Sequence, residues 1–183
     1  PSVKYMGSQI DSLKLEMFSD NTDLNFDFGF KALTAGPLAI KRTQLDGGVV
    51  NRKLQLEFSS MYENDTLAHV NSELNFQGDT LKFHVEPNRL ILNKNPWNIA
   101  DNNLISYDTG YLHFQDFRLF RNGQEMMVSN NAPESDKESL KLAFNNFKLA
   151  ALLNYLNPEN QLAQGNLNGE VVLEEPFGET GLL

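Results

Sequence analysis

Asp23-Leu24-Asn25-Phe26-Asp27 places three oxygen-bearing side chains at alternate positions, the opening of a calcium loop. The remainder of such a loop is missing. Phe28 stands where the sharp turn requires glycine, and Thr34 where a bidentate glutamate closes the ion's shell. Leu24 and Phe26 would be wasted in a calcium loop, but they fit a strand whose other face carries the acids. His69, His84 and His113 fall on separate strand-like stretches with no i, i+4 or His-x-His pairing, which gives neither a metal centre nor a placed general base. His84 and His113 alternate with apolar neighbours and are expected on the polar face. Glu174-Glu175, ahead of Pro176, reads as a solvated pair at a strand end. Trp97 after Pro96 offers either a sugar-stacking ring or a plug for one end of the core, and we expect the plug. Asn64-Asp65-Thr66 has the form of a glycosylation acceptor but reads as a turn. The chain has no Cys, no Gly-x-Ser-x-Gly elbow and no phosphate-cradling glycine loop. These residues predict no catalytic group, no metal and no cofactor.

The elements that would position any site are strands. Leu24, Phe26, Phe28 and Phe30 alternate with Asn25, Asp27 and Gly29, so apolar and polar side chains project to opposite faces. Leu54, Leu56 and Phe58 repeat the pattern, as do Leu74 with Phe76, and Leu81, Phe83 and Val85. Leu90-Ile91-Leu92, Leu112-His113-Phe114, Leu140 to Phe144 and Gly169 to Leu173 add further strand-like pieces. Turn formers separate them: Asp46-Gly47-Gly48, Glu63-Asn64-Asp65, Gln77-Gly78-Asp79, Asn95-Pro96 and Arg121-Asn122-Gly123, with Gly165 to Gly169 read as turns also. The clearest runs span about seven residues or fewer, short of the roughly 9 to 11 that an outer-membrane barrel strand needs. Helix is scarce. Leu149, Leu152, Leu153 and Leu156 predict one over 148–156, ended by Asn157-Pro158, and Met61 to Asn64 is a weaker candidate. Asn130 to Lys137 reads as an exposed loop.

With 183 residues the chain is long enough to bury a core, and 15 basic against 24 acidic residues give a net charge of −9. That balance excludes a phosphate-backbone partner, hence no nucleic acid, and a polybasic dock on anionic lipid. No apolar run is long enough for a membrane-spanning helix. The chain opens Pro1-Ser2-Val3 and stops at Gly181-Leu182-Leu183, and it reads as an internal piece of a longer protein.

Leu112-x-Phe114-x-x-Phe117-Arg118-Leu119 recurs 30 residues later as Leu142-x-Phe144-x-x-Phe147-Lys148-Leu149. A step of three between phenylalanines breaks strand parity. A bulge or corner at Gln115-Asp116, and again at Asn145-Asn146, would return both rings to one side.

Two architectures satisfy such clean faces. In one, two apolar faces close as a β-sandwich, a binding or adhesion module that would suit carbohydrate. In the other, a curved, folded-over antiparallel or meandering sheet with one short helix stays unsealed. It then forms a hydrophobic, taco-like groove for acyl chains, whose transfer is worth roughly 0.8 kcal/mol per buried CH₂. Parity makes the groove lining Leu24, Phe26, Phe28, Phe30, Leu54, Leu56, Phe58, Leu74, Phe76, Leu81, Phe83, Val85, Leu90, Leu92, Leu112, Phe114, Leu140, Leu142 and Phe144.

From about Leu90 the chain resembles the AsmA/TamB-like family (translocation and assembly modules) of Gram-negative envelope proteins, especially its long Bacteroidetes-type members. The residues that carry the resemblance begin with Asn95-Pro96-Trp97-Asn98-Ile99 and Asp101-Asn102-Asn103-Leu104-Ile105. Gly110-Tyr111-Leu112-His113-Phe114-Gln115-Asp116-Phe117-Arg118-Leu119 and Asn122-Gly123-Gln124-Glu125 follow, then Leu140 to Leu149 and Leu167-Asn168-Gly169-Glu170-Val171. The match covers about half the chain; residues 1–89 share the β pattern without a motif. The resemblance implies one β-groove segment over 1–183, with internal units at 1–89 and 90–183. It implies a non-enzymatic stretch of conduit in the periplasm, the full-length protein being anchored in the inner membrane. It further implies phospholipid acyl chains as cargo bound for the outer membrane and neighbouring segments of the same long chain as partners. An Omp85-type outer-membrane barrel would be met through the full-length protein, since the family's barrel-contacting segment is not recognisable here.

Overall fold

The computed structural model describes residues 2–19, 23–108, 111–130 and 138–176. Strands dominate, as the period-two pattern predicts. In chain order they are β1 (Ser2–Tyr5), β2 (Ser8–Asp11), β3 (Lys14–Ser19), β4 (Leu24–Phe30), β5 (Ala32–Ala35), β6 (Leu38–Ile40) and β7 (Thr43–Val50). There follow β8 (Lys53–Tyr62), β9 (Asp65–Gln77), β10 (Thr80–Val85), β11 (Ile91–Leu92), β12 (Asn95–Pro96), β13 (Asn98–Ile99), β14 (Leu104–Asp108) and β15 (Tyr111–Gln115). β16 (Phe117–Arg121), β17 (Gln124–Asn130), β18 (Ser139–Lys148), the helix α1 (Ala150–Leu153) and β19 (Asn166–Glu174) complete the chain.

All ladders are antiparallel. A ten-stranded sheet runs β15-β14-β10-β9-β8-β7-β4-β3, with β11 and β12 attached beside β9. A five-stranded sheet runs β13-β16-β17-β18-β19, and a small one β1-β2-β5-β6. Among the described residues no sheet closes on itself. The large sheet draws strands from both sides of residue 89, since β10 pairs with β14.

The Phe-x-x-Phe expectation holds at both copies. Asp116 takes φ 46° and turns the chain from β15 in the large sheet to β16 in the five-stranded one. Asn146 takes φ 47° at a register shift between Phe144 and Phe147. Each corner brings its two rings together, with centroids 5.9 Å apart for Phe114–Phe117 and 5.9 Å for Phe144–Phe147. Single residues in the left-handed region are tolerated best by Asn and Asp, which the sequence supplies at both corners.

Carboxamides repair the ladders where strands stop. Asn103 donates to the carbonyls of Val85 and Ala100 (2.7 Å each) and accepts from Val85 N–H (2.9 Å), standing in for the strand residue that β14 lacks there. Its own carbonyl accepts from His84 Nδ1 at 2.7 Å, which fixes that ring's proton. Asn130 does the same between the sheets, accepting from Phe114 N–H (2.5 Å) and donating to the Leu112 carbonyl (2.7 Å). A buried backbone group left unpaired costs about 1–3 kcal/mol, so Asn103 closes the end of β10 within the large sheet and Asn130 ties that sheet to the five-stranded one.

The core lies between the sheets: Val85, Leu90, Trp97, Ile99, Leu119, Phe147 and Ala151 are buried together, and the Trp97 ring lies tilted against Phe147 with centroids 5.5 Å apart. Trp97 is therefore a core plug, as expected.

Several local expectations are corrected. Asp46-Gly47-Gly48 is no turn but the middle of β7. A Cβ on Gly47 would sit 2.2 Å from the Phe26 ring, and one on Gly48 would sit 2.5 Å from Asn25 Oδ1, so the glycines make room for side chains of β4. Met61 to Asn64 is the end of β8 and a tight turn, with Glu63 at φ 57°, rather than helix. The helix predicted over 148–156 is confined to Ala150–Leu153, too short to need the full leucine stripe. Asn95-Pro96 is a short strand, and the turn sits before it at Asn93-Lys94. Gly169 lies inside β19, not in a turn, at φ 122°. Strands also run longer than the alternation indicates, to 13 residues in β9, because Ser and His interrupt the apolar pattern without interrupting pairing. Asn130 ends β17; the rest of the loop expected there lies outside the described residues.

Candidate functional site

Ladder register turns the predicted lining into rows. Phe30, Thr43, Ser60, Ala68 and Leu92 form the first, each opposite the next across five strands. Leu15, Phe28, Leu45, Phe58 and Val70 form the second. Met17, Phe26, Gly47, Leu56, Ser72 and Val85 form the third. Val49, Leu54, Leu74, Phe83, Ile105 and Phe114 follow, with Leu24 at their β4 end. Phe76, Leu81, Tyr107 and Leu112 close the set. One face of the large sheet is thus an apolar wall, and the sixteen parity-chosen residues from Leu24 to Phe114 all lie on it or, for Leu90, beneath it in the core.

Cover over this wall is uneven. At the first row, Thr43, Ser60 and Ala68 are buried. A strap following α1 does this. The Tyr155 ring meets Phe58 edge-on at 5.5 Å, Leu156 accepts from Ala39 N–H (2.8 Å), and Asn157 donates to the Pro37 carbonyl (2.8 Å). Beside it the five-stranded sheet packs on Val70, Phe83, Val85 and Leu92. At the last row no described element lies on top in the same way: Phe76 is 74% exposed and Tyr107 46%. Along the β3 edge, Leu15 and Met17 are 63% exposed. Leu140, Leu142 and Phe144 belong to β18, in the covering sheet; Leu140 is buried and Phe144 packs on the core. The structure therefore brings the large-sheet lining residues onto one surface and sets the β18 trio in the layer facing it.

The opposite face is acidic. Glu16, Asp27, Asp46 and Glu57 stand directly opposite one another across β3, β4, β7 and β8. Like charges in such positions repel. Lys14 relieves one end, bonding Asp27 at 2.7 Å and Glu16 at 3.1 Å, and both contacts raise its pKa, Asp27 foremost. Farther along, the Gln44 amide donates to Asp46 at 3.2 Å and His69 Nδ1 lies 3.8 Å from Glu57. A cleft of about 670 Å³ opens on this face, where Gly48 leaves a gap between Asn25, Gln55 and Glu73, with Asp46, Glu57 and Glu86 beside it. Sequence reading misses both the row and the cleft, since neither exists until the register is known.

Chemistry is sparse. Asp23 to Asp27 enters β4 and spends Asp27 on Lys14, as a strand face would. His84 and His113 are on the polar face, whereas His69 is buried with Nε2 unpartnered. Among the described residues no three His, Asp or Glu side chains are grouped to hold a metal, and no helix is long and apolar enough to cross a membrane. Comparison with protein-family models, with curated proteins and with solved structures finds no match for this chain.

Proposed function

We propose that this chain is a non-enzymatic carrier surface for acyl chains, its apolar wall forming a groove left open at the Phe76–Tyr107 end. The observation that carries the reading is the fall in cover along the wall, from buried Thr43, Ser60 and Ala68 to a phenylalanine 74% exposed. Water against such a row is unfavourable by about 25 cal/mol per Å², and an unbranched hydrocarbon can lie along it without a directional partner. In this reading the chain is a section of an AsmA/TamB-like envelope protein in the periplasm, its full-length form anchored in the inner membrane. It passes phospholipid toward the outer membrane and works between neighbouring segments of the same long chain, with an Omp85-type barrel met elsewhere in the full-length protein. The motifs from Asn95 to Leu149, including both Phe-x-x-Phe corners, support that assignment.

The test is a titration of the chain with a fluorescent fatty acid, with thermal melts alongside. Saturable uptake that weakens in Phe26→Asp and Phe76→Asp, with the fold retained, is the expected result. Phe83 is a poor probe because it packs on the core. No uptake by the parent chain, or uptake indifferent to both changes, overturns the reading.

A further inference from the structure

Among the described residues no strand pairs with the outer side of β3, the end of the large sheet, and its charged side chains are Lys14 and Glu16. Several other end strands are shorter or tied to neighbouring chain: Asn130 bonds the backbone of β15, β13 is two residues long and Leu156 accepts from β6. β1, at the end of the small sheet, is four residues and exposed like β3. β3 is six residues without proline or bulge, every one of them exposed, with Leu15, Met17 and Phe18 each at 63%. Such an edge is a template for another strand.

We propose that β3 pairs antiparallel with β3 of a second copy of this chain, about a two-fold axis through Leu15. Residues opposite each other in a ladder share a face, so the register follows from arithmetic. With Leu15 on the axis, Leu13 meets the second copy's Met17 and Lys14 meets its Glu16, and each contact occurs twice because the interface is isologous. Moving the axis to residue 14 sets Lys14 against itself, and moving it to residue 16 sets Glu16 against itself. The pairing at Leu15 joins opposite charges on the acidic face, where the row from Glu16 to Glu57 has a lysine only at its β3 end. On the other face it carries the second and third apolar rows across the axis, covering Leu15 and Met17. About this axis Lys14, Leu15 and Glu16 of β3 face their counterparts, with Leu13 and Met17 at the ends. So short a ladder buries far less than the roughly 1,200 Å² of a stable standard interface, and the dimer is weak and concentration-dependent. This inference goes beyond the acyl-chain reading and does not depend on it.

Sedimentation velocity of the 183-residue chain over a concentration series is the test, with circular dichroism to verify folding. The parent chain is expected to shift from monomer to dimer, while Lys14→Glu and Glu16→Lys each remain monomeric. Mixing the two variants restores dimer, because the substituted chains offer each other opposite charges at both positions; a merely misfolded edge would not be rescued. A parent chain that stays monomeric, variants that dimerise like the parent, or a mixture that stays monomeric each overturns the proposal. A monomer throughout leaves the edge to a strand of different sequence.

Discussion

The apolar wall of the large sheet has two ends of similar composition and different fate. At one, Val70, Val85 and Leu92 meet Trp97, Ile99, Leu119 and Phe147 from the facing elements. At the other, Phe76, Leu81, Tyr107 and Leu112 repeat the same cross-strand chemistry with Phe76 and Tyr107 in solvent. The difference is not in the strands. It lies in what returns over them: the corner at Asp116 sends β16 back across the sheet, and the strap after α1 caps the first row, but no described element reaches the last. An alternating strand fixes which side chains share a face. Whether that face is a core or a binding wall is decided by chain elsewhere in the sequence.

The largest effect expected on this contrast comes from its covered end. Phe147 has no exposed surface and touches Trp97 and Phe144. Phe147→Ala should cost about 3–5 kcal/mol, read as a lower midpoint in urea unfolding with little change in slope. A loss below about 1 kcal/mol would mean that the two layers are not locked together at all, and the two ends would then not differ.

Next in size is Asn103→Ala. The change orphans the Val85 N–H and carbonyl in a buried site, at about 2–3 kcal/mol, and frees the start of β14. Amide exchange at Val85 should accelerate well before exchange in β8 or β9 does. Uniform acceleration across the sheet would show that Asn103 is not a local stitch.

How much of this was legible beforehand follows from what period two can encode. The wall from Leu24 to Phe114 was readable because parity alone assigns faces within a strand. The corners were readable because Phe-x-x-Phe violates that parity at Asp116 and Asn146 in the same way. Gly47 and Gly48 were misread, since a glycine pair looks identical whether it bends the chain or clears space for Phe26 and Asn25; only the neighbouring strand tells. β1, β2, β5 and β6 went unseen because Ser8-Gln9-Ile10-Asp11 and Ala32-Leu33-Thr34-Ala35 do not alternate strongly, their small sheet burying little. The acidic row depends on the register of four strands, and no local signal carries it.

Gly47→Val tests the close approach itself and sits between the two ends. The added side chain must displace the Phe26 ring, whose atoms lie 2.2–2.3 Å from the first carbon. A flexible ring can swing, so the expected destabilisation is about 1–2 kcal/mol, partly offset by valine's preference for strands. The displaced ring should also change acyl-chain uptake if the third row is part of the wall that lipid meets.

The smallest stability effect belongs to Phe76→Asp, which for that reason sharpens the comparison most. The ring is 74% exposed, so replacing it leaves no buried charge and no cavity, and the melt should stay within about 0.5 kcal/mol of the parent. Acyl-chain affinity should nevertheless fall about tenfold, because a charge now stands opposite Leu81 where a hydrocarbon chain would lie, and tenfold corresponds to about 1.4 kcal/mol. Full stability with unchanged uptake would mean that the exposed end is bare surface, and that whatever the protein binds is held at its covered end or on its acidic face. Lost stability would place a covering element over Phe76 in solution, making the two ends alike after all.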